Sequence, residues 1–355
     1  MKLRRVGPVP IVLVTAAFAL AQARSSYRAQ AAVIREAEER SLTGVATILA
    51  HATETEAQQA TALAEMLAVR KSVQGHVRLG ERDALQSDLT GIYERLHASY
   101  GIEGIQFNVP PGLVLLRMHA PEKHGDDVTG RQMVMLTLTG GESQSGVEVG
   151  SSGARIRGVV QIRDDVGAIG AVEVMVDYAP VLQATAGMTG FQLAAYLKQV
   201  GEPPAGARMV DGYRELGTTD RDAILAVVEA GSMDGVTDTL LTRRTVNGER
   251  YGVMRTPLVD FGGQTIGVLV ATRSFAEYQS AENAAFRAAL VWAIVQIVAV
   301  AGVVLLVFNG LLMRPVQRLT SRLAGGEGPD PALLERNDEV GELARAVAKA
   351  TGEKP

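Results

Sequence analysis

The sequence predicts an α+β chain that contains one long membrane-rooted helix, two sheet-containing modules, two transmembrane helices and a C-terminal pair of short helices. Three observations predict this class. Two uncharged apolar runs lie towards the ends of the chain, a proline-free helical segment follows the first run, and a glycine-rich strand–turn–strand pattern occurs twice between the runs.

The two apolar runs are long enough to cross a membrane. Residues 6–23 include 18 positions without a charge and residues 288–313 include 26, and a helix needs about 20 apolar residues to span a bilayer. The runs divide the 355 residues into a short start (1–5), a central region (24–287) and a tail (314–355). This division excludes a polytopic transporter and an ordinary soluble enzyme.

Basic residues next to the two runs predict the orientation of the chain. They lie on the side of each run that faces the chain terminus: Lys2, Arg4, Arg5, Arg314, Arg318 and Arg322. Short flanks rich in Lys and Arg remain cytoplasmic. We therefore expect the chain in a bacterial inner membrane, with both termini in the cytoplasm and residues 24–287 in the periplasm. The small-x-small pattern Ala21-Gln22-Ala23 leaves open the alternative that the first run is cleaved as a signal peptide.

The first part of the central region, residues 24–100, is predicted to be a long helix. From residue 28 onwards it has no proline, it is rich in Ala, Glu, Gln and Leu, and its apolar residues recur at spacings of three and four. Pro110-Pro111-Gly112 then predicts a turn between strands over 104–109 and 113–119.

A hairpin pattern occurs twice in the rest of the central region. Residues 158–176 are typical of strand, turn and strand, and residues 252–270 repeat that plan. The pairs Ile169-Gly170 and Ile266-Gly267 lie 97 residues apart, which predicts two similar modules. The alternative is that two unrelated hairpins merely look alike.

This order of elements resembles the double Cache sensor domain of bacterial chemoreceptors, sensor kinases and diguanylate cyclases. The resemblance implies two PAS-like modules, a membrane-distal one at 101–185 and a membrane-proximal one at 186–280. It fades over residues 190–275. It is strongest over residues 93–178, where these motifs occur in order: Tyr93 to Gly101, Ile105-Gln-Phe-Asn, Pro110-Pro-Gly, Leu116-Arg-Met-His119, Pro121-Glu-Lys-His-Gly-Asp-Asp127, Arg131, Gly146-Val-Glu-Val-Gly150 and Arg157-Gly-Val-Val160.

Charged residues on the predicted strands are the candidate ligand-binding residues. Strand alternation places Arg117 and His119 on one face, and in a Cache module one face of the sheet forms the ligand pocket. The resemblance therefore implies that the pair binds an anionic or carboxylate-bearing small molecule, since a guanidinium offers a two-pronged donor. The alternative is that Arg117 pairs with Glu122 or Asp126 and only fixes the following loop.

Four further residues complete the candidate site: Arg131, Glu148, Arg157 and Asp177. Glu148 and Arg157 lie in or beside strands, where a charge needs a partner, so they are candidates to pair with each other. Arg131 either reaches the pocket or is a solvated residue at the start of an element. Asp177, like Glu173, alternates with valines and faces either the pocket or the solvent.

The tail predicts two amphipathic helices that need a partner. Each has an apolar seam at spacings of three and four, formed by Val316, Leu319 and Leu323 in one and by Val340, Leu343 and Val347 in the other. A monomer cannot bury such seams. The tail resembles a HAMP domain over residues 313–350, because Pro315 opens the first helix and Asp338-Glu-Val-Gly-Glu-Leu343 opens the second.

The HAMP resemblance implies a parallel four-helix bundle made from two chains, and hence a homodimer. It also implies a role in signal relay for residues of both helices: Pro315, Leu319, Asp338, Glu339 and Leu343. The connector between the helices departs from the family by its glycines and prolines, and it offers only Leu333 and Leu334 for packing.

Composition and motifs argue against several other functions. The net charge of −4 gives no basic face for nucleic acid, and the absence of cysteine excludes disulfides, Cys-ligated zinc and iron–sulfur clusters. No nucleophile elbow, zinc-protease motif or phosphate-binding loop is present, and His119, His124, Asp126 and Asp127 lack the spacing of a zinc site. We therefore expect no catalytic residue, no metal and no cofactor.

The predicted function is that of a transmembrane receptor which senses an extracytoplasmic small molecule and relays binding through HAMP repacking. The output is either chemotaxis or a histidine-kinase pathway. Nothing beyond Lys349 resembles an output module. The alternatives are a truncated receptor, a natural short form that acts through a separate cytoplasmic output protein, and a fragment upstream of a separately encoded output. The alternatives are a membrane-anchored periplasmic enzyme and a structural scaffold.

Overall fold

The computed structural model describes residues 9–150, 153–228 and 231–350. They form two compact units, one spanning Glu36–Gln279 and one made of the residues before and after it. The predicted cytoplasmic start, residues 1–5, lies outside the described residues, as do the outer ends of the first apolar run and of the tail.

Helices occupy both ends of the described chain and alternate with strands between them. They are α1 (Val9–Ala68), α2 (Lys71–Leu79), α3 (Arg82–Tyr100), α4 (Gln132–Gly140), α5 (Tyr178–Thr189), α6 (Arg221–Leu225), α7 (Ala276–Val307), α8 (Arg314–Ala324), α9 (Pro331–Leu334) and α10 (Glu339–Ala350). A π-helical segment, Phe308–Met313, joins α7 to α8.

The strands form two sheets, each of which defines one module. The first module contains β1 (Ile102–Val109), β2 (Leu113–Arg117), β3 (Gln144–Gly150), β4 (Gly153–Arg163) and β5 (Ala168–Val176). The second contains β6 (Gln192–Lys198), β7 (Met209–Val210), β8 (Tyr213–Thr218), β9 (Leu240–Val246), β10 (Glu249–Val259) and β11 (Thr265–Ser274).

The predicted long helix is confirmed, but it ends at Ala68 and not near residue 100. The rest of the predicted segment consists of α2 and α3, which are separated at Gly80. Gly80 adopts a left-handed conformation (φ 68°), its N–H donates to the Val77 carbonyl, and the Glu81 N–H donates to the His76 carbonyl. These bonds close a helix end of the kind that glycine favours, a local signal that composition alone does not show.

The predicted repeat is confirmed by the order of the strands. The first sheet runs β2-β1-β5-β4-β3 and the second runs β7-β8-β6-β11-β10-β9, with antiparallel neighbours throughout. The hairpin β4–β5 therefore corresponds to β10–β11, and β1 corresponds to β6. Each hairpin is followed by a helix, α5 in the first module and α7 in the second.

The glycines of the two Ile-Gly pairs occupy the same position in the two sheets. A Cβ atom at Gly170 would lie 2.7 Å from the carbonyl oxygen of Asn108 on β1, and a Cβ atom at Gly267 would lie 2.0 Å from that of Tyr196 on β6. Only a residue without a side chain permits this approach of neighbouring strands. The repeated motif thus has a structural cause.

One buried apolar cluster joins α1 to both sheets. Leu42 and Leu49 of α1 pack in the same cluster as Phe107 of β1 and Leu193 of β6. Glu38, also on α1 and fully buried, fastens the helix to the second sheet through ion pairs with Arg243 and Arg250. The two modules and the middle of α1 therefore share one core.

The other unit contains the apolar runs. Val9–Ala68 and Ala276–Ala324 are helices long and apolar enough to cross a membrane, and their most apolar stretches are almost entirely exposed. Within this unit the Tyr27 hydroxyl donates to Glu282 at 3.1 Å, and the Tyr27 and Phe286 rings meet edge to face at 5.5 Å. Lipid is the natural neighbour of such exposed apolar helix surface.

In the tail, α8, α9 and α10 pack around a small apolar cluster. Leu319, Leu333 and Ala344 form it, with Leu323 and Leu334 at its edge. The expectation that Leu333 and Leu334 pack is confirmed. Leu343 does not share the inward face, because α10 turns Val340, Gly341, Ala344 and Ala348 inwards and leaves Leu343 48% exposed.

The start of α10 is capped by the aspartate of the predicted motif. The Asp338 carboxylate accepts from the Gly341 N–H at 3.1 Å and pairs with Arg336. The hydrogen bond from Arg336 and that from Gly341 lower the pKa of Asp338 to about 2. Asp338 is thus a negative charge held at a helix N-terminus, where it is stabilising.

Candidate functional site

A small cavity of ≈ 170 Å³ lies on one face of the first sheet. Four of the six predicted ligand-binding residues line it. Its full lining consists of Gln106, Arg117, His119, Asp126, Asp127, Val128, Arg131, Arg157 and Met175. Among these residues, polar and charged side chains predominate over apolar ones.

The walls of the cavity come from four strands and one loop. Gln106 lies on β1, Arg117 ends β2, Arg157 lies on β4 and Met175 on β5. The loop after β2 folds back along that strand, because the Val114 N–H donates to the Asp126 carbonyl at 3.0 Å and the Gly125 N–H to the Val114 carbonyl at 2.8 Å. The loop therefore covers one side of the cavity.

Arg117 holds this loop in place. One guanidinium nitrogen, Nη1, donates to the Asp126 carboxylate at 2.5 Å and to the Lys123 carbonyl at 2.9 Å, and Nε donates to the Gln106 side chain at 3.0 Å. Of the two partners expected for Arg117 in the structural alternative, Asp126 is the one it contacts. Arg117 both lines the cavity and closes it.

His119 lies beyond the end of β2, yet it lines the same cavity as Arg117, as strand alternation predicts. Gly104 leaves room for its ring, because a Cβ atom at Gly104 would come within 2.5 Å of His119 Nδ1. Burial of the ring, and then the Arg117 cation, lower the pKa of His119 from 6.5. The ring is therefore neutral at pH 7.

A buried network of four charges adjoins the cavity, and its two arginines, Arg131 and Arg157, line the cavity. Arg131 Nε donates to Glu148 at 2.7 Å and Arg131 Nη2 donates to Glu173 at 2.9 Å. Arg157 pairs with the same oxygen of Glu173. Arg157 and Glu173 are 1% and 0% exposed, so each of these charges depends on its partner.

The electrostatic balance of the network favours the ionised form of Glu173. Burial alone would raise the pKa of Glu173, but the Arg157 and Arg131 cations outweigh it and hold the pKa below its ordinary value. The Glu148 carboxylate is fixed a second time, because it accepts from the Met133 N–H at the start of α4 at 3.0 Å. The network thus joins two arginines and two glutamates through ion pairs and a backbone hydrogen bond.

The predicted ion pair between Glu148 and Arg157 is wrong, because each of them pairs with a different residue. Arg157 contacts only the backbone carbonyl of Glu148, at 3.2 Å, and its carboxylate partner is Glu173. The sheet register explains this, since Glu148 lies opposite Arg155 and not opposite Arg157. Glu148 turns instead towards Arg131 and α4.

Asp177 does not lie in the cavity. Strand β5 ends at Val176, and Asp177 occupies the position before α5, where it pairs with Arg155 at 2.7 Å. The alternation of the valines therefore stops one residue before Asp177. Glu173, three residues before the end of β5, is the acidic residue that joins the network.

Gln106 was missed by the sequence reasoning, although it fixes Arg117 and donates to Asn108 at 2.8 Å. A signal for it exists, because Gln106 and Asn108 are polar residues that alternate with Ile105 and Phe107 in a buried strand.

Over the described ranges, no group of three or more His, Asp or Glu side chains is arranged to hold a metal ion.

Among the described residues of the second sheet, valines occupy two positions of this network. With Gly170 aligned to Gly267, the strand registers make Val270 the counterpart of Glu173 and Val253 the counterpart of Arg157. Both valines pack in an apolar cluster with Tyr196, Tyr213 and Met233. The charged cavity is thus a property of the first module.

A larger groove of ≈ 1030 Å³ runs along α1 outside the sheets. Its walls on α1 include residues that recur every four and three positions: Ile48, Ala52, Thr55, Gln59, Ala62 and Met66. The other wall comes from α3 and α5, with Leu96, Tyr100, Val181 and Met188. This spacing is that of a helix–helix seam.

Comparison with known proteins places these features in context. The model of the family dCache_3, described as the double sensory domain of two-component sensor kinase, matches residues 35–278. No curated protein is detectably similar to the chain.

Solved sensory domains are similar to parts of the chain at low sequence identity. The ligand-binding domain of Campylobacter jejuni chemoreceptor Tlp3, in complex with L-valine, is 12% identical, with a TM-score of 0.43 over 72% of this chain and 98% of that one. The sensor domain of E. coli DcuS is 19% identical, with a TM-score of 0.32 over 38% of this chain and 96% of that one.

Proposed function

Because this chain belongs to the family of double Cache sensory domains of two-component sensor kinases, we propose that it is a membrane receptor for a small carboxylate-bearing molecule. The ligand would bind in the cavity of the first module. The observation that carries this proposal is the buried Arg131–Glu148–Arg157–Glu173 network, in which Arg157 and Glu173 have valines as their counterparts in the second module.

The chemistry of the cavity fits an anion that competes with the protein's own carboxylates. Arg117 and Arg131 face the cavity and are held by Asp126 and Glu148. A ligand carboxylate can accept two parallel N–H donors from either guanidinium. The neutral His119 ring offers one further donor or acceptor at the same cavity.

A thermal-shift screen tests this proposal. The full chain is melted in lipid nanodiscs with acetate, pyruvate, succinate or L-alanine, added one at a time. We expect at least one of these to raise the melting temperature, because a ligand that binds only the folded state stabilises it.

Two arginine variants locate the effect. Arg117→Gln should abolish the shift while leaving the chain folded, since its partner Asp126 is 57% exposed. Arg163→Gln is the matched control, because Arg163 lies at the exposed end of β4 outside the cavity. Equal loss in both variants, or no shift in the wild type, would contradict the proposed site.

The relay that we propose runs through the second apolar helix to a HAMP-like tail. The supporting observations are the apolar span in Ala276–Ala324, the paired helices α8 and α10, and the packing of Leu319 with Ala344. In this proposal both termini are cytoplasmic and the sensory unit is periplasmic. Of the two outputs expected from the sequence, the family description fits a two-component kinase pathway better than chemotaxis.

The receptor is proposed to act as a homodimer that passes its signal to a cytoplasmic output protein or domain. The exposed Leu343 and the seam along α1 support the dimer.

A cross-linking experiment tests the dimer. The chain has no cysteine, so a single introduced thiol reports directly on symmetry-related contacts. Thr55→Cys, in the seam, should form a disulfide-linked dimer under mild oxidation, whereas Gln58→Cys, exposed beside the seam, should not. Equal cross-linking of both would contradict the seam.

A further inference from the structure

The tip of the β10–β11 hairpin, residues 260–264, leaves the second module and rests on the first. The Phe261 N–H donates to the Val147 carbonyl of β3 at 2.7 Å. The half-buried Phe261 ring packs against an apolar cluster of the first module: Val114, Val128, Met133, Val134, Val159 and Ala171.

The tip is built as a fixed turn. Asp260 N–H donates to the Gln264 carbonyl at 2.9 Å, the Gln264 N–H donates to the Asp260 carboxylate at 2.8 Å, and the Gly263 N–H donates to the Asp260 carbonyl at 3.0 Å. Gly263 adopts the left-handed conformation that this turn needs (φ 80°). Phe261 is therefore presented to the first module by a rigid support.

The surface under the tip is the one that positions the cavity arginine. Val147, the acceptor for Phe261, is followed directly by Glu148, which holds Arg131 and the Met133 N–H. Met133 belongs to the cluster under the Phe261 ring. The tip backbone also lies beside the Gln132 side chain, because a Cβ atom at Gly262 would be 2.9 Å from Gln132 Oε1.

The other end of the hairpin is clamped to the start of α7. The Phe275 N–H donates to the Arg250 carbonyl at 2.7 Å, and the Arg250 N–H donates to the Gln279 side chain at 3.0 Å. The Phe275 ring is fully buried against Gly252 of β10, where a Cβ atom would lie 2.3 Å from it. A displacement of the hairpin is thus felt where α7 begins.

We propose that the β10–β11 hairpin is the element that couples the first-module cavity to α7, with the Phe261–Val147 contact as its input. Binding of a ligand to Arg131 changes the ion pair between Arg131 and Glu148. Strand β3, which carries Glu148, and the start of α4 transmit this change to the tip. The inference rests on the proposed function for its ligand. The coupling itself is a property of the chain and can be tested without one.

The test measures hydrogen exchange of residues 265–279 by mass spectrometry in the full chain in nanodiscs. Glu148→Gln removes the charge that holds Arg131 but keeps an acceptor for the Met133 N–H, and Arg131→Gln is a second route to the same change. We expect either variant to alter exchange of residues 265–279 by roughly threefold when Phe261 is present, and to have no effect there in the Phe261→Ala background, because coupled residues are non-additive.

The control is Val166→Ala. Val166 lies at the tip of the corresponding β4–β5 hairpin and is 84% exposed, so this substitution should leave the effect of Glu148→Gln intact. If Glu148→Gln and Arg131→Gln alter exchange only within the first module, or act equally with and without Phe261, the coupling is overturned. If the coupling is seen but no carboxylate shifts the melting temperature, the proposed ligand class fails and the coupling stands.

Discussion

Arg157 of the first module and Val253 of the second occupy the same position in their sheets. Arg157 on β4 lies opposite Met175 of β5, and Val253 on β10 lies opposite Thr272 of β11. Each of these opposite residues follows the aligned glycine of its strand, Gly170 or Gly267, by five positions. One position thus carries a buried cation in a charged cavity and the other carries part of an apolar core. The two modules share a scaffold and differ in this face. This difference is the basis of our proposal that the first module binds the ligand.

Removal of Arg157 should be far more harmful than removal of the whole pair. Arg157→Val leaves Glu173, which is 0% exposed, with Arg131 alone, and breaking a buried ion pair in this way costs about 3–5 kcal/mol. The double variant Arg157→Val/Glu173→Val copies the second module and should recover a large part of that loss. Thermal melting of the full chain checks this prediction, and a double variant no more stable than the single one would refute it.

Acid should weaken the first module through Glu173. The pKa of Glu173 is held below its ordinary value of 4.5 by Arg157 and Arg131 despite burial. A lowered carboxyl pKa in the folded state stabilises the protein above the unfolded pKa, and this contribution is lost as the pH falls through the folded value. The melting temperature should therefore fall more steeply in the wild type than in Arg157→Val/Glu173→Val as the pH drops below the ordinary carboxyl pKa of 4.5. Parallel curves would contradict the assignment.

Asp126 should act as an internal competitor for Arg117. Its carboxylate lies 2.5 Å from Arg117 Nη1, where a ligand carboxylate would bind. Asp126→Asn should raise the affinity for a bound carboxylate about tenfold, equivalent to ~1.4 kcal/mol. Asp127→Asn is the matched control, because Asp127 contacts the Thr129 N–H and not Arg117. Calorimetric titration of the two variants decides between competition and a general charge effect, which would raise both affinities alike.

The repeated glycines should be intolerant of a side chain. A Cβ atom at Gly267 would lie 2.0 Å from the Tyr196 carbonyl oxygen, closer than the 2.7 Å that Gly170 would leave to Asn108. Gly267→Ala should therefore destabilise more than Gly170→Ala, with losses of about 1–3 kcal/mol or above. Gly187→Ala, in α5 with nothing within 4 Å of its Cβ position, should be neutral or stabilising. The reverse order of melting temperatures would contradict the register.

The sequence predicted the parts of this fold that depend on local pattern. The apolar runs, the long helix and the paired Ile-Gly hairpins follow from composition and spacing, and Glu148 and Arg157 are noticeable because a charge in or beside an apolar strand needs a partner. The end of α1 at Ala68 and the cap at Gly80 are also local features. They depend on backbone geometry, which amino-acid composition does not predict.

Contacts between residues that lie far apart in the sequence could not be predicted. The partner of Arg157 is set by a strand register that brings Glu173 beneath it, and Asp177 falls outside the cavity because β5 ends one residue earlier. The contact between Phe261 and Val147 joins residues more than a hundred positions apart. No periodicity in either segment indicates such a contact.

The most direct test of the central claim is a hydrogen-exchange footprint of the full chain with and without the carboxylate that shifts its melting temperature. The account predicts protection of residues 113–131 and 153–160, which border the first-module cavity. It predicts no direct protection of residues 233–237, which border a cavity of equal volume, ≈ 170 Å³, in the second module. Protection of 233–237 in place of the first-module segments, or no protection in either module, would contradict a carboxylate site in the first module.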